Sequence, residues 1–226
     1  LRYYLVANMP ESKDADWSWS EFVARNNNEL VASWGNLANR VLSFAYKNFE
    51  GEVPDPGPLR PEDRELIATV NSGFESVGNL LEAVKLRAAL AEALRLASEV
   101  NRYLDVRAPW SEIKADRAAA AKTVYTALKA IDSLKVIFAP FLPFSSEKLH
   151  SYLGYSGSLF GAQKIVSYEE STRAHEALTY DPTGAVGKWQ PSGLRPHQVL
   201  QPPAPLFKKL EESVAEEEVA RLHGGK

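Results

Sequence analysis

The sequence contains no cysteine among its 226 residues, and it has only four histidines. The lack of cysteine excludes disulfide bonds, thiol catalysis and zinc sites with cysteine ligands. The histidines are too widely separated for a metal-binding motif such as H-x-x-x-H or H-E-x-x-H. They are His150, His175, His197 and His223. We therefore assign no metal ligand to this chain.

The signals of a catalytic centre are also missing. There is no glycine-rich phosphate loop between a strand and a helix, and no G-x-S-x-G motif. The consecutive carboxylates of Glu216, Glu217 and Glu218 are typical of the charged surface of a helix. No catalytic or cofactor-binding residue is assigned, and this segment alone is predicted to be non-catalytic.

No apolar run approaches the roughly 20 residues that span a bilayer, and no signal peptide is visible. We expect no membrane partner and a cytoplasmic location. The opening "LRYYLVAN" begins with Leu1 and is typical of an internal segment, which predicts a piece of a longer protein. The net charge of −3 provides no attraction of the whole molecule to nucleic acid. Any such binding must come from local placement and base contacts.

The first helical stretch begins with a capping-box pattern, in which Ser18 is followed by Glu21. The helical pattern continues to Asn48, with a break predicted in "RNNNE", residues 25–29. Residues 51–61 contain four prolines and two glycines, a composition that excludes a helix and predicts a long connecting loop.

Three further stretches carry apolar residues at spacings of three and four, which predicts amphipathic helices. They cover residues 61–81, 86–104 and 112–138, and a short fifth helix ends at Gly154. The sequence therefore predicts an all-α fold, a bundle of about five helices.

The character of the sequence changes after Gly154. "SLFGAQKIVSY" predicts one short strand, and "WQPSGLRPHQVLQPPAP", with five prolines, predicts an extended strap. "LFKKLEESVAEEEVARL" then predicts a terminal helix. The strap has scattered apolar residues, which suggests that it lies on another surface; they are Trp189, Leu194, Val199, Leu206 and Phe207.

Asn36 and Arg40 form the first candidate binding site. The apolar stripe of their helix passes through Trp34, Leu37 and Val41, whereas Asn36 and Arg40 lie four residues apart on a neighbouring face. An amide and a guanidinium can together hydrogen-bond the edges of nucleotide bases. The alternative is an ordinary surface arginine beside a solvated asparagine.

Trp110 is the second candidate, because Pro109 stiffens the corner from which its ring projects. A rigid, exposed indole can stack an unpaired base. The alternative is a tryptophan that fills the gap between two helices. Asn101, in the preceding helix, could anchor the corner or contact a base.

The order of motifs closely resembles the C-terminal half of the methionyl-tRNA synthetase family. The resemblance rests on "LRYYLVAN", "WSWSEFVARNNNELVASWGNLANRVLSFAYKNFEG", "APWSEIKAD", "FAPFLPFSSEKLHSYLGY" and the late "GKWQPSGLRPHQVLQPPAPLFKKLEE". Related class I synthetases for isoleucine, valine and leucine share an N-x-x-x-R segment. The segment "GNLANRVLSF" and the "APW" corner favour the synthetase for methionine.

The resemblance implies that residues 19–154 form a helical anticodon-binding domain, which in the family reads the CAU anticodon of methionine tRNAs. It implies that Asn36 and Arg40 read base edges and that Trp110 stacks the unpaired base at the first anticodon position. For Asn101, the resemblance implies only a supporting role in this pocket. The implied partner is tRNA.

The family's catalytic signatures, H-x-G-H and K-M-S-K-S, are absent from this chain, as is its zinc-binding insert. The resemblance therefore implies that residues 1–18 connect to a catalytic domain of the same polypeptide that this segment lacks, and that domain would be the second partner. The full-length enzyme would attach methionine to its tRNA using ATP. Residues 155–226 would form a C-terminal tail. The alternative function is a helical protein-interaction or scaffold bundle without a nucleic-acid site.

Overall fold

The computed structural model describes residues 1–11 and 14–224. Residues 12–13 of the predicted connector and 225–226 of the predicted tail lie outside the described residues. The long helices follow the apolar spacing of the sequence, and the prediction of a mostly helical bundle is confirmed. The helices are α1 (Arg2–Ala7), α2 (Trp19–Arg25), a π-helix (Asn26–Gly35), α3 (Asn36–Asn48), α4 (Pro61–Glu82), α5 (Leu86–Arg107), α6 (Pro109–Glu112), α7 (Arg117–Ile137), α8 (Pro143–Tyr152) and α9 (Ser213–Gly224).

The core of the bundle is formed by α3, α4, α5 and α7. Helix α7 is the central element, because it carries buried residues on most of its circumference. Leu128, Ile131 and Leu134 on this helix are fully buried. A helix that is buried on most of its sides must be surrounded by other elements, which makes α7 the centre of the bundle.

The predicted break at residues 25–29 is wrong, because the chain remains helical there and adopts a π-helix. The side-chain amides of Asn26 and Asn27 donate to the backbone carbonyls of residues 208 and 210, at 3.0 and 2.8 Å. The asparagines are thus satisfied by a distant segment rather than by a turn. Gly35 closes the π-helix, and a Cβ atom there would lie 2.8 Å from the Phe207 ring.

The first residues of the chain pack against α2. Tyr3 and Tyr4 of α1 are buried, and the Tyr3 hydroxyl donates to the carboxylate of Glu29. The Tyr4 ring meets the rings of Trp17 and Phe22 edge-on, at centroid distances of 4.6 and 5.6 Å. This aromatic cluster holds the start of the chain on the bundle.

Residues 162–181 contain two strands where only one was predicted. Strands β1 (Ala162–Glu169) and β2 (Ala174–Asp181) form an antiparallel hairpin in which Ile165 lies opposite Leu178. The sequence "AHEALTYD" of β2 concealed the second strand, because alanine, glutamate and leucine favour helices in isolation. Backbone pairing with β1 overrides that local preference.

The segment after the hairpin lies against the bundle. The Trp189 indole N–H donates to the Phe74 carbonyl at 2.8 Å, and the Leu194 and Leu206 side chains are buried. Val199, in contrast, is 58% exposed. The prediction of a helix from residue 206 is wrong for its first seven residues, because α9 begins only at Ser213.

Candidate nucleic-acid interface

Helix α3 presents a polar face at its start. Asn36 is the first residue of the helix and is exposed, and Arg40 follows one turn later with its side chain half-buried. Phe44 continues the same row by a further turn. On the opposite side of the helix, Leu37 and Val41 enter the core, which fixes the direction in which the polar row faces.

A sharp corner carries Trp110. Helix α5 ends at Arg107; the next residue, Ala108, adopts the left-handed conformation with φ of 44°, and buried Pro109 opens α6. The predicted helix 112–138 is therefore wrong at its start. The four residues of α6 come first, and α7 begins at Arg117 after Asp116 accepts a capping hydrogen bond from the Ala119 N–H at 2.9 Å.

Trp110 meets the polar row of α3. The Arg40 guanidinium carbon lies 4.2 Å from the centroid of the Trp110 ring, a cation–π contact. The Phe44 ring meets the same indole edge-on at a centroid distance of 6.3 Å. Trp110 is partly buried against the core and partly accessible. It therefore lies between the two predicted alternatives, an exposed indole and a tryptophan that fills the gap between two helices.

The charge of Arg40 is not neutralised by an ion pair with any carboxylate of the part of the chain that the structure describes. The arginines of α5 provide a contrast, because each has an acidic partner. The pairs are Arg87–Glu11, Arg95–Glu92, Arg102–Glu99 and Arg107–Glu62. The positive charges of the α5 arginines are thus balanced by neighbouring carboxylates, whereas the positive charge of Arg40 is available to a ligand.

Asn101 lies on α5 and is half-buried. Its amide nitrogen donates to the Ala97 carbonyl one turn earlier, at a long 3.4 Å. Within residues 1–11 and 14–224, no hydrogen bond joins Asn101 to the Trp110 corner. The proposed support from Asn101 therefore stays a prediction.

A polar cluster that the sequence analysis missed lies beneath the corner. The Thr123 hydroxyl on α7 donates to the Glu112 carboxylate on α6 at 3.1 Å, and Arg60 donates to Thr123 at 2.7 Å. The Arg60 guanidinium also lies 3.7 Å from the second oxygen of Glu112. These contacts tie the helix that carries Trp110 to the loop before α4 and to α7.

Asp63 anchors the cluster from the first turn of α4, where its side chain is fully buried. It accepts hydrogen bonds from the Arg60 backbone N–H at 2.8 Å and from the Tyr103 hydroxyl at 2.6 Å. Burial alone would raise the pKa of Asp63, but the hydrogen bonds from Arg60 and Tyr103 outweigh it and lower the pKa. Asp63 is therefore a carboxylate at neutral pH, and it holds Arg60 in place.

Two further observations concern the rest of the molecule. Among residues 1–11 and 14–224, no three histidine, aspartate or glutamate side chains are grouped so that they could hold a metal ion. No helix in the described ranges is both long and apolar enough to cross a membrane.

The comparison with protein families gives two adjacent matches. The profile described as "Anticodon binding domain of methionyl tRNA ligase" matches residues 53–179, and the profile "tRNA synthetases class I (M)" matches residues 1–42. Trp110 falls within the first match, and Asn36 and Arg40 fall within the second. Both matches confirm the resemblance that the sequence motifs indicated.

Curated relatives extend the similarity to almost the whole chain. Methionine–tRNA ligase of Chloroflexus aggregans is 54% identical over 98% of this chain, and that of Thermobifida fusca is 39% identical over 98%. The chain spans only 37% and 38% of the length of these two relatives.

Solved structures agree with these matches. The apo Mycobacterium tuberculosis methionyl-tRNA synthetase has a TM-score of 0.73 and 28% identity, with 93% of this chain and 38% of that chain covered. The methionyl-adenylate complex of the same enzyme has a TM-score of 0.72 and 28% identity, with 91% and 36% covered.

Proposed function

The chain belongs to the methionyl-tRNA ligase family and contains its anticodon-binding domain, and from this membership we propose that Asn36, Arg40 and Trp110 read the CAU anticodon of methionine tRNAs. The observation that carries the proposal is the stack of the Arg40 guanidinium on the Trp110 ring at 4.2 Å. The proposed stacking platform, Trp110, thus lies beside the proposed hydrogen-bond donor, Arg40, and both are near the exposed Asn36. Arg40 has no ion-pair partner in the described part of the chain.

Trp110 is proposed to stack the unpaired base at the first anticodon position. In the free protein the Arg40 guanidinium lies over the Trp110 ring. A stacked base contributes about 1–3 kcal/mol. The base would stack on the indole beside Arg40, whose N–H groups can donate to acceptors at the edge of the base.

Asn36 supplies the second part of base recognition. Its amide has both donors and an acceptor, so one side chain can complement the edge of a base from the exposed start of α3. The chain carries 26 basic and 29 acidic residues, so the molecule as a whole does not attract phosphates. Affinity should therefore depend on the anticodon bases and only modestly on salt. Asn101 remains proposed as a support for the pocket.

The test is binding of anticodon stem-loops at one fixed salt concentration. Trp110→Ala should weaken binding of a CAU stem-loop by about 1–3 kcal/mol, the energy of one stacked base. Arg40→Ala should cost a similar ~1–3 kcal/mol and reduce the preference for CAU over a changed anticodon. Both losses can be measured by titration calorimetry or fluorescence anisotropy of a labelled stem-loop.

Two variants serve as matched controls. Trp189→Ala removes a tryptophan that is 42% exposed on another surface, and Arg102→Ala removes an exposed arginine that is paired with Glu99. Both controls should bind like the unmodified chain. If Trp110→Ala and Arg40→Ala also bind normally and keep the CAU preference, the proposed reading site is wrong. A protein-interaction bundle would show no selectivity between anticodons at all.

The activity of the whole protein is proposed from the curated relatives. They are named methionine–tRNA ligases, so the complete protein is proposed to join methionine to its tRNA with ATP, in the cytoplasm. The partners of this segment would be the tRNA and the rest of the same chain. The isolated segment should not exchange pyrophosphate into ATP in the presence of methionine. Exchange above the background of a heat-denatured sample would contradict its assignment as a non-catalytic segment.

A further inference from the structure

The orientation of Trp110 is not determined by its own short helix. Helix α6 has only four residues and follows Ala108, whose positive φ of 44° is strained for a residue with a side chain. Such a conformation persists only where the surrounding structure holds it. Local backbone hydrogen bonds hold Ala108, since its N–H donates to the Leu104 carbonyl and its carbonyl accepts from the N–H groups of Ser111 and Glu112. Contacts with other elements add lateral support to the corner.

Glu112 supplies a lateral contact of this kind at the end of α6. Its carboxylate accepts from Thr123 at 3.1 Å and lies 3.7 Å from the guanidinium of Arg60. Thr123 is fully buried and is itself held by Arg60 at 2.7 Å. The Thr123 hydroxyl has a second acceptor within reach, the Ala119 carbonyl at 3.2 Å. The Glu112 carboxylate thus meets partners from two different elements, at a place where the side chains of Arg60 and Glu112 are only 20% and 22% exposed.

The Arg60 guanidinium lies between two carboxylates of the cluster, those of Asp63 and Glu112. Arg60 is held from its other side by buried Asp63, whose oxygens lie 3.1 and 3.0 Å from the Arg60 Nε atom. A guanidinium with carboxylates on both sides keeps a single orientation, because its donors are planar and fixed relative to one another. Glu112 therefore meets a guanidinium that Asp63 orients.

We infer that Glu112 is a positioning residue for anticodon reading, which acts by holding Trp110 against Arg40 through Thr123 and Arg60. The inference rests on the proposed function. It assigns no contact between Glu112 and RNA. Its role is to keep the indole at the angle at which it meets α3, so that the platform exists before the base arrives.

Glu112→Ala tests the inference, with Glu92→Ala as the matched control. Glu92 has the same chemistry elsewhere in the bundle, since it accepts from the Ser76 hydroxyl of a neighbouring helix at 3.1 Å and pairs with Arg95. Both variants remove one glutamate, one interhelical hydrogen bond and one arginine pair. Only Glu112→Ala should lower the affinity for a CAU stem-loop, by about tenfold, because part of the stacking is lost.

Spectroscopy separates positioning from general loss of stability. The chain has five tryptophans, so 5-fluorotryptophan labelling should give five ¹⁹F resonances, and Trp110→Phe identifies that of Trp110. Glu112→Ala should shift or broaden the Trp110 resonance without RNA, whereas Glu92→Ala should leave it unchanged. Glu112→Gln retains an acceptor for Thr123 and should recover part of both the affinity and the resonance position.

The outcomes distinguish the two proposals. If Trp110→Ala weakens binding while Glu112→Ala and Glu92→Ala have equal effects, the inference about Glu112 is overturned and the proposed function stands. If Trp110→Ala has no effect, the proposed function falls, and the inference falls with it. If Glu112→Ala unfolds the chain, Thr123→Val decides, because it removes the donor to Glu112 with little change in volume: an unchanged affinity together with an unchanged Trp110 resonance would overturn the inference.

Discussion

Replacement of Asp63 is the sharpest test of the packing that supports the site. Its carboxylate is fully buried and accepts hydrogen bonds from the Arg60 backbone, the Arg60 side chain and the Tyr103 hydroxyl. Asp63→Ala removes every acceptor at once. It leaves the half-buried Tyr103 hydroxyl without its acceptor and the Arg60 backbone N–H without its partner, and it removes the capping box at the start of α4.

The expected loss of stability depends on the contacts that Arg60 keeps after Asp63 is replaced. Loss of one partner of a fully buried ion pair costs about 3–5 kcal/mol. Arg60 is 20% exposed and retains Thr123 and Glu112, so its charge is not stranded and the penalty is smaller. We expect Asp63→Ala to lower the free energy of unfolding by about 2–3 kcal/mol. Asp63→Asn keeps one acceptor oxygen and should cost about 1–2 kcal/mol.

The effect should depend on pH in a defined direction. The hydrogen bonds from Arg60 and Tyr103, opposed by burial, hold the pKa of Asp63 below that of an unfolded chain, which is about 3.9. Its stabilisation is therefore complete above about pH 4 and is lost as the pH falls through the lower, folded-state pKa. The stability difference between the unmodified chain and Asp63→Asn should shrink under strongly acidic conditions.

Urea denaturation followed by far-UV circular dichroism measures both quantities. Asp105→Ala is the control, because Asp105 is an exposed aspartate on α5, and it should change stability by less than about 0.5 kcal/mol. A loss below about 1 kcal/mol for Asp63→Ala at neutral pH would refute the reasoning. A difference between the unmodified chain and Asp63→Asn that stays constant into strong acid would refute it as well.

Three further outcomes are expected. Leu128→Ala should lower the free energy of unfolding by about 2–5 kcal/mol in urea denaturation, because Leu128 is fully buried; a loss below about 1 kcal/mol would contradict its place in the core. Stability should decrease as the pH falls below about 6.5, because burial and the nearby charge of Lys135 lower the pKa of His150, and His150→Gln should reduce this dependence. The opposing carboxylates are Asp132 and Glu147. Gly154→Ala should expose the segment around Val199 to limited proteolysis, because φ at Gly154 is +80° and a Cβ atom would collide with the Val199 carbonyl; unchanged cleavage rates would contradict that contact.

The sequence alone determined the helices of the bundle and the family. Apolar residues at spacings of three and four specify which face of each helix is buried, and this information is local. It placed the helices around Val70, Leu96 and Leu128 correctly. The short motifs around Asn36, Arg40 and Trp110 were local as well, which is why the resemblance could be drawn before the fold was known.

Other features depended on partners far away in the chain. The side chains of Asn26 and Asn27, in the π-helix, find their hydrogen-bond acceptors at residues 208 and 210, more than 180 positions later. Strand β2 exists because β1 pairs with it. In both cases local preference indicated something else, and long-range hydrogen bonds decided the structure.

The tertiary structure also decided how the candidate site is assembled. Arg60 and Thr123 are 63 positions apart, yet they meet beneath the corner that carries Trp110. The stack of Arg40 on Trp110 likewise joins two helices that the sequence could only describe separately. Spacing along one helix specifies the face on which a residue lies, but only packing specifies which distant residue that face meets.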